Sequence, residues 1–244
     1  MPPSPWSFHV AAGELVIVAA LAGLAVAAVL AGRPGRARTI ALAAGVLLVA
    51  AVLLTPVSTI ALNYLLAAHL VQNVALAEWA PLLLVLGIAP PLAERLTGSP
   101  VARVLTHPLV ALPLWVVSYA LWHVPAVYEA ALRNHALLAL EHVSYLVTGL
   151  LLWWPVLQDA PHRLSSAARA IYLFAAFLLA SPLGLLLTFL PEPIYGFYEE
   201  APRLWGLSPL ADQQLAGVLM AGSEAVVFFA AFAYFLSRFL DEQA

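Results

Sequence analysis

Two residue types are missing altogether from this 244-residue chain: cysteine and lysine. Without cysteine there is no disulfide, no iron–sulfur cluster, no thiolate copper site and no covalently attached c-type haem. Without lysine there is no retinal Schiff base, and all ten basic residues are arginines. Charge is scarce too. Charged residues make up 9% of the chain, where a soluble domain carries about 25%. No basic patch offers a surface for nucleic acid.

What remains is apolar, in runs long enough for helices, since a span takes roughly 20 mainly apolar residues. Barrel strands would instead alternate over ~10-residue segments. The chain therefore reads as an all-α polytopic membrane protein, a seven-transmembrane helix bundle forming one integral membrane domain over residues 1–244. The predicted spans lie near 9–31, 39–56, 63–88, 108–124, 135–157, 168–190 and 210–238. Met1 to His9 carries no arginine ahead of the first apolar run, so it lacks the basic start of a cleavable signal peptide.

Positive charge orients the bundle. Arg33, Arg36, Arg38, Arg95, Arg103, Arg163, Arg169 and Arg238 fall on one side of this threading, and Arg133 and Arg203 on the other. By the positive-inside rule the N-terminus is outside and the C-terminus cytoplasmic. His69 then lies about six residues into the third span, ~9 Å at 1.5 Å per residue. His142 enters the fifth span to a similar depth, and Met220 the seventh. His123 closes the fourth span and His135 opens the fifth, on the same side. These four histidines form an outer-leaflet layer, whereas His9, His107 and His162 read as ordinary surface or interfacial groups.

Polar stripes converge on that layer. His69, Gln72 and Asn73 share one helix face at i, i+3 and i+4. His135 and His142 are seven apart, with Glu141 beside them, and Gln213, Gly217, Met220 and Glu224 follow helical spacing. Asp212 and Gln214 lie at a similar depth. Imidazole suits copper, zinc and haem iron, and a thioether favours Cu(I). The same residues also serve as polar glue between helices, and residue type alone does not choose between the two. Glu14, Glu78 and Glu224 are intramembrane carboxylates, functional candidates because an isolated charge there is expensive. Pro81, Pro113 and Pro182 are expected to kink their helices and free carbonyls for other partners. Trp122, Trp153 and Trp154 read as interfacial belts. The outer loop 191–208, with Tyr195, Phe197, Tyr198 and Trp205, reads as lying on the membrane surface or docking a partner.

Taken in order, several segments carry a resemblance. They are His69-Leu-Val-Gln72-Asn73, Ala80-Pro81 through Gly87 to Pro90, Trp122-His123-Val-Pro125-Ala-Val-Tyr128, and Leu140-Glu141-His142. Gly149 through Trp153-Trp154-Pro155 and Leu207-Ser208-Pro209 through Asp212-Gln213-Gln214 to Met220 complete the set. Together they resemble the CtaG-type assembly factors of caa3-type cytochrome c oxidase over roughly residues 60–222.

That resemblance implies a multi-pass protein of the bacterial cytoplasmic (inner) membrane that helps mature a respiratory oxidase. No nucleophile–base arrangement is apparent in the chain, so no catalytic turnover is expected. The implied cargo is copper as Cu(I), delivered at the outer face, and the implied partners are cytochrome c oxidase subunits and an extracytoplasmic copper chaperone. Carried over by position, His69, His142, His123 and Met220 become metal ligands. Glu141, expected to tune His142, joins Gln72, Asn73, Asp212, Gln213 and Gln214 around the ligands or at the mouth of the site. One position departs from the family pattern: Asn73 stands where members commonly carry histidine, so the metal is either held between helices or bound weakly or not at all. Three other readings compete: a b-type haem protein ligated by His69 and His142, a proton-coupled transporter using Glu14, Glu78 and Glu224, and a ligand-free scaffold for oxidase subunits.

Overall fold

The computed structural model describes residues 2–8 and 10–243. Met1, the predicted first span residue at position 9 and the outer placement of His9 lie outside the described residues. Every regular element among the described residues is helical, because within hydrocarbon a helix satisfies its own backbone groups. In chain order these are α1 (Ala12–Gly32), α2 (Arg36–Leu54), α3 (Pro56–Asn63) and α4 (Leu66–Val74). A π-helical turn (Ala75–Trp79) joins α4 to α5 (Ala80–Gly87), followed by α6 (Pro90–Leu96) and α7 (Pro100–Leu105). Then come α8 (Pro108–Trp122), α9 (Pro125–Arg133), α10 (His135–Leu157), α11 (Ser166–Phe189), α12 (Gly196–Glu200) and α13 (Pro209–Asp241).

Six described stretches are long and apolar enough to cross a membrane: α1, α2, Leu66–Gly87, α10, α11 and α13. The number rises to seven when α8 and α9, bent by 74° at their junction, count as one span. The chain is a multi-pass membrane protein. The predicted loop after the fourth span is thus a second helix, α9, turned sharply off α8. Proline sets many of the boundaries, opening α3, α6, α7, α8, α9 and α13, where its missing N–H is not needed. Side chains of Asn134, Ser165 and Ser208 cap α10, α11 and α13 by accepting first-turn backbone N–H bonds.

The third span is the most buried of the six, and Pro81 leaves one of its carbonyls in need of a partner. Proline has no N–H to return to the carbonyl four residues earlier, which is that of Ala77. That carbonyl instead accepts a hydrogen bond from the Trp115 indole at 3.2 Å, so the freed carbonyl expected at Pro81 has its partner. Helix α10 crosses at the same point. A Cβ on Gly149 would stand 2.3 Å from the Ala77 carbonyl oxygen and 2.6 Å from Pro81 Cγ, so only glycine allows the approach. Helices α11 and α13 meet equally closely at Gly217, whose Cβ would lie 2.5 Å from the Gly184 carbonyl oxygen. Small residues play this part between membrane helices because lipid supplies no hydrophobic drive to association.

The tryptophans depart from expectation. Trp122, Trp153 and Trp154 are buried within the protein rather than arrayed in an interfacial belt. Trp153 stacks on Phe228 with centroids 5.7 Å apart, and Trp115 meets the same ring edge-on. The indole N–H of Trp122 donates to Ser144, and that of Trp154 to the Ala160 carbonyl. Leucine and valine side chains such as Leu24, Leu30, Leu109 and Val226 cover the outside, as a lipid-facing surface requires.

Candidate functional site

The site is assembled where α4, α8, α9, α10 and the 191–208 loop meet. Its first support is the start of α4. The Asp212 carboxylate, in the first turn of α13, accepts the backbone N–H groups of Leu66 at 2.8 Å and Ala67 at 3.0 Å. Those are two of the orphan donors that any helix N-terminus leaves, so Asp212 acts as a cap supplied from another helix. One turn on, His69 is fully buried.

Hydrogen-bond direction fixes the tautomer of His69. The Tyr198 hydroxyl has a single proton and donates it to the Ala61 carbonyl, 2.6 Å away. Its oxygen must then accept from His69 Nδ1 at 2.9 Å, which leaves His69 Nε2 as a lone pair. Burial holds the Tyr198 phenol well above the ordinary tyrosine value, so it stays neutral and keeps both roles. His123, at the end of α8, is arranged the same way: its Nδ1 donates to the Tyr119 carbonyl at 2.8 Å, and Nε2 has no hydrogen bond. His142, fully buried on α10, has a partner on neither nitrogen. His69 interacts electrostatically with both His142 and His123, and the Tyr128 ring lies between His69 and His123, with centroids 5.0 and 6.3 Å away.

Glu141 stands beside His69 rather than tuning His142 as expected. Its Oε1 accepts from the Asn73 amide at 3.1 Å and lies 4.0 Å from His69 Nε2. Adjacent helical residues point about 100° apart, which is why Glu141 and His142 serve different neighbours. Asn73 is therefore the clamp on Glu141. Gln72 turns away, donating to the Val52 carbonyl on α2 at 2.8 Å.

Several predicted members lie elsewhere. His135 is exposed at the start of α10 and does not join the buried histidines, because the first turn projects beyond the packed part of the bundle. Gln213 ties down the chain after α11, accepting from Ile194 N–H and donating to the Glu192 carbonyl. Gln214 is half-buried on the next face, so Asp212, Gln213 and Gln214 do not form one mouth. Met220 is buried on the α13 stripe between Ala216 and Glu224. His107 and His162 pack against each other at 4.8 Å, away from the cluster.

The tyrosines were the unforeseen part. Tyr195 and Tyr198 are buried, while Trp205 of the same loop is exposed. Tyr195 donates to the His123 carbonyl at 3.0 Å, and its ring lies 4.4 Å from that of Tyr128. Through these two tyrosines the loop closes over the histidines, while most of its other residues stay exposed or half-buried. Tyr195 is the extended residue just before α12 and Tyr198 lies within that helix, so no helical period announced the pair.

Comparison with known proteins agrees with this architecture. Residues 21–242 match the family described as cytochrome c oxidase caa3 assembly factor. The chain is 28% identical over 171 residues to uncharacterised proteins of Mycobacterium bovis and Mycobacterium tuberculosis, an alignment covering 61% of this chain. It spans about a quarter, 26%, of the length of those curated relatives. No solved structure matches it.

Proposed function

The chain belongs to the cytochrome c oxidase caa3 assembly factor family, and from that membership we propose that it supports oxidase maturation by holding Cu(I) in passage. The observation carrying this reading is the set of imidazole nitrogens on His69, His123 and His142 that are buried without hydrogen bonds. Leaving such an atom unpaired costs about 1–3 kcal/mol. A cation that engages those lone pairs offsets the loss. Imidazole and thioether donors suit copper, the thioether favouring Cu(I).

Copper here is cargo. His69 and His142 are the primary ligands in this proposal, with His123 or Met220 as the third. Tyr198 and the Tyr119 carbonyl hold their imidazoles in the metal-binding tautomer, the part that hydrogen-bonded partners play around metals. Glu141, clamped by Asn73, supplies a nearby counter-charge. Among the described residues, no three His, Asp or Glu side chains are gathered into a ready metal centre.

The arginine distribution supports an outside N-terminus and a cytoplasmic C-terminus, and in this proposal the imidazole layer faces the outer side of a bacterial cytoplasmic membrane. Oxidase subunits and an extracytoplasmic copper chaperone are the partners this requires, and no turnover is proposed. The test is an anaerobic Cu(I) competition titration of the purified protein beside the His69→Ala/His142→Ala double variant. Binding that collapses in the variant is expected; equal binding in both would falsify the assignment. The open metal shell favours one other reading, a scaffold for oxidase subunits without cargo. In that case the double variant, which binds no copper, leaves oxidase assembly in cells unchanged.

A further inference from the structure

Deeper in the bundle lies a second polar site that the copper proposal does not use. Helices α4 and α13 start side by side, tied by Asp212 to Leu66. Counting along each, 78 − 66 and 224 − 212 are both 12, so Glu78 and Glu224 stand at the same level. Both are fully buried, and each acts on the other electrostatically. Glu224 Oε1 accepts from the Tyr119 hydroxyl at 2.7 Å. Glu224 Oε2 and both oxygens of Glu78 have no hydrogen-bond partner.

Glu78 is carried by the π-turn between α4 and α5, an irregularity that recurs at functional sites. The surrounding wall is aromatic: Trp115 stacks on Tyr119 at 5.1 Å and meets Phe228, one turn beyond Glu224, at 5.7 Å. The titratable group facing the pair is Tyr119 from α8, which in turn neighbours Tyr145 from α10. Neither phenol brings positive charge, and no described arginine or histidine is paired with either carboxylate.

Two adjacent carboxylates in such surroundings do not both ionise. Each buried charge is costly and like charges repel, so the pair titrates as a unit. We propose that Glu78 and Glu224, with Tyr119, form a proton-binding site at the centre of the bundle that loads and releases one proton. In the loaded state the proton is shared between the carboxyls, and the Tyr119 hydroxyl stabilises the remaining negative charge. Glu78 supplies the open acceptor positions. The two carboxylates take no part in the copper proposal, which uses Tyr119 only through its backbone carbonyl.

The test is infrared spectroscopy of the full chain in lipid nanodiscs, titrated from neutral to alkaline pH in H2O and D2O. A protonated-carboxyl C=O band is expected at neutral pH, shifting in D2O and vanishing at high pH. Glu78→Gln and Glu224→Gln should each remove it. Tyr119→Phe removes only a donor to the charged form, so it should raise the midpoint by about one pH unit and tests the site even if a glutamine variant fails to fold. A band that is absent at every pH, or unchanged in both glutamine variants and in Tyr119→Phe, overturns the proposal. So does a band abolished at fixed pH by sodium chloride but not by choline chloride, which would make this a metal-cation site.

Discussion

The first and third spans are both apolar, yet the bundle treats them in opposite ways. Helix α1 contains the most apolar window of the six, and 6% of that window is buried within the protein. Leu66–Gly87 is among the least apolar, and 72% of its window is buried. In water the greasier helix would be the inner one. In lipid the order reverses, because hydrocarbon accepts leucine but offers nothing to His69, Gln72, Asn73 or Glu78. Those side chains need protein around them, so polarity pulls a membrane helix inward. The chemistry then collects on the third span because only there do enough neighbours meet.

That contrast can be broken by substitution, with the largest effect where the third span is most tightly crossed. Gly149→Val places a branched side chain against the Ala77 carbonyl and Pro81. It should destabilise the protein by about 3 kcal/mol, read as a lowered unfolding midpoint in detergent. A midpoint within error of the parent would mean that α10 does not press on the third span.

Next is Tyr198→Phe, which strands His69 Nδ1 and the Ala61 carbonyl without changing shape. About 2 kcal/mol of stability should be lost. Cu(I) affinity, by the same titration, should fall ten- to a hundredfold, roughly the effect of losing a partner that orients a ligand. Unchanged affinity would remove Tyr198 from any role in holding the imidazole. Asp212→Ala should cost about 1–2 kcal/mol as a lost cap, with Asp212→Asn recovering part because one acceptor remains. Equal losses in the two variants would show that charge, not the hydrogen bond, is what α4 needs. At the far end of the scale, Leu24→Ala on lipid-facing α1 should shift stability by less than ~0.5 kcal/mol. A larger loss would mean that α1 is packed against something in the bilayer.

Much of this arrangement was legible in the chain, and the parts that were not share a cause. The shared face of His69, Gln72 and Asn73 followed from helical spacing, and all three are buried together. The free carbonyl of Ala77 followed from the N–H that Pro81 lacks, and Trp115 takes it up. But spacing says which residues share a face, not which helix that face meets. Glu141 and His142 looked like one functional unit because they adjoin in sequence, yet Glu141 turned to Asn73 and His69. His135 matched His142 by period and still lay outside, because periodicity carries no information about where packing ends. Trp122, Trp153 and Trp154 were misplaced for a related reason: an indole satisfies either an interface or an interior, and its partner decides.

Composition and order of residues by themselves determined that this is a helical multi-pass membrane protein, which polar residues fall within its spans, and which family it resembles. These follow from the bilayer as solvent, acting on each segment separately. Only the tertiary structure decided that two loop tyrosines close over the histidines, that Asp212 caps a helix 145 residues away, and that Glu78 faces Glu224. Each of those is a meeting between segments far apart in the chain, and the pattern within a single helix does not encode its neighbour.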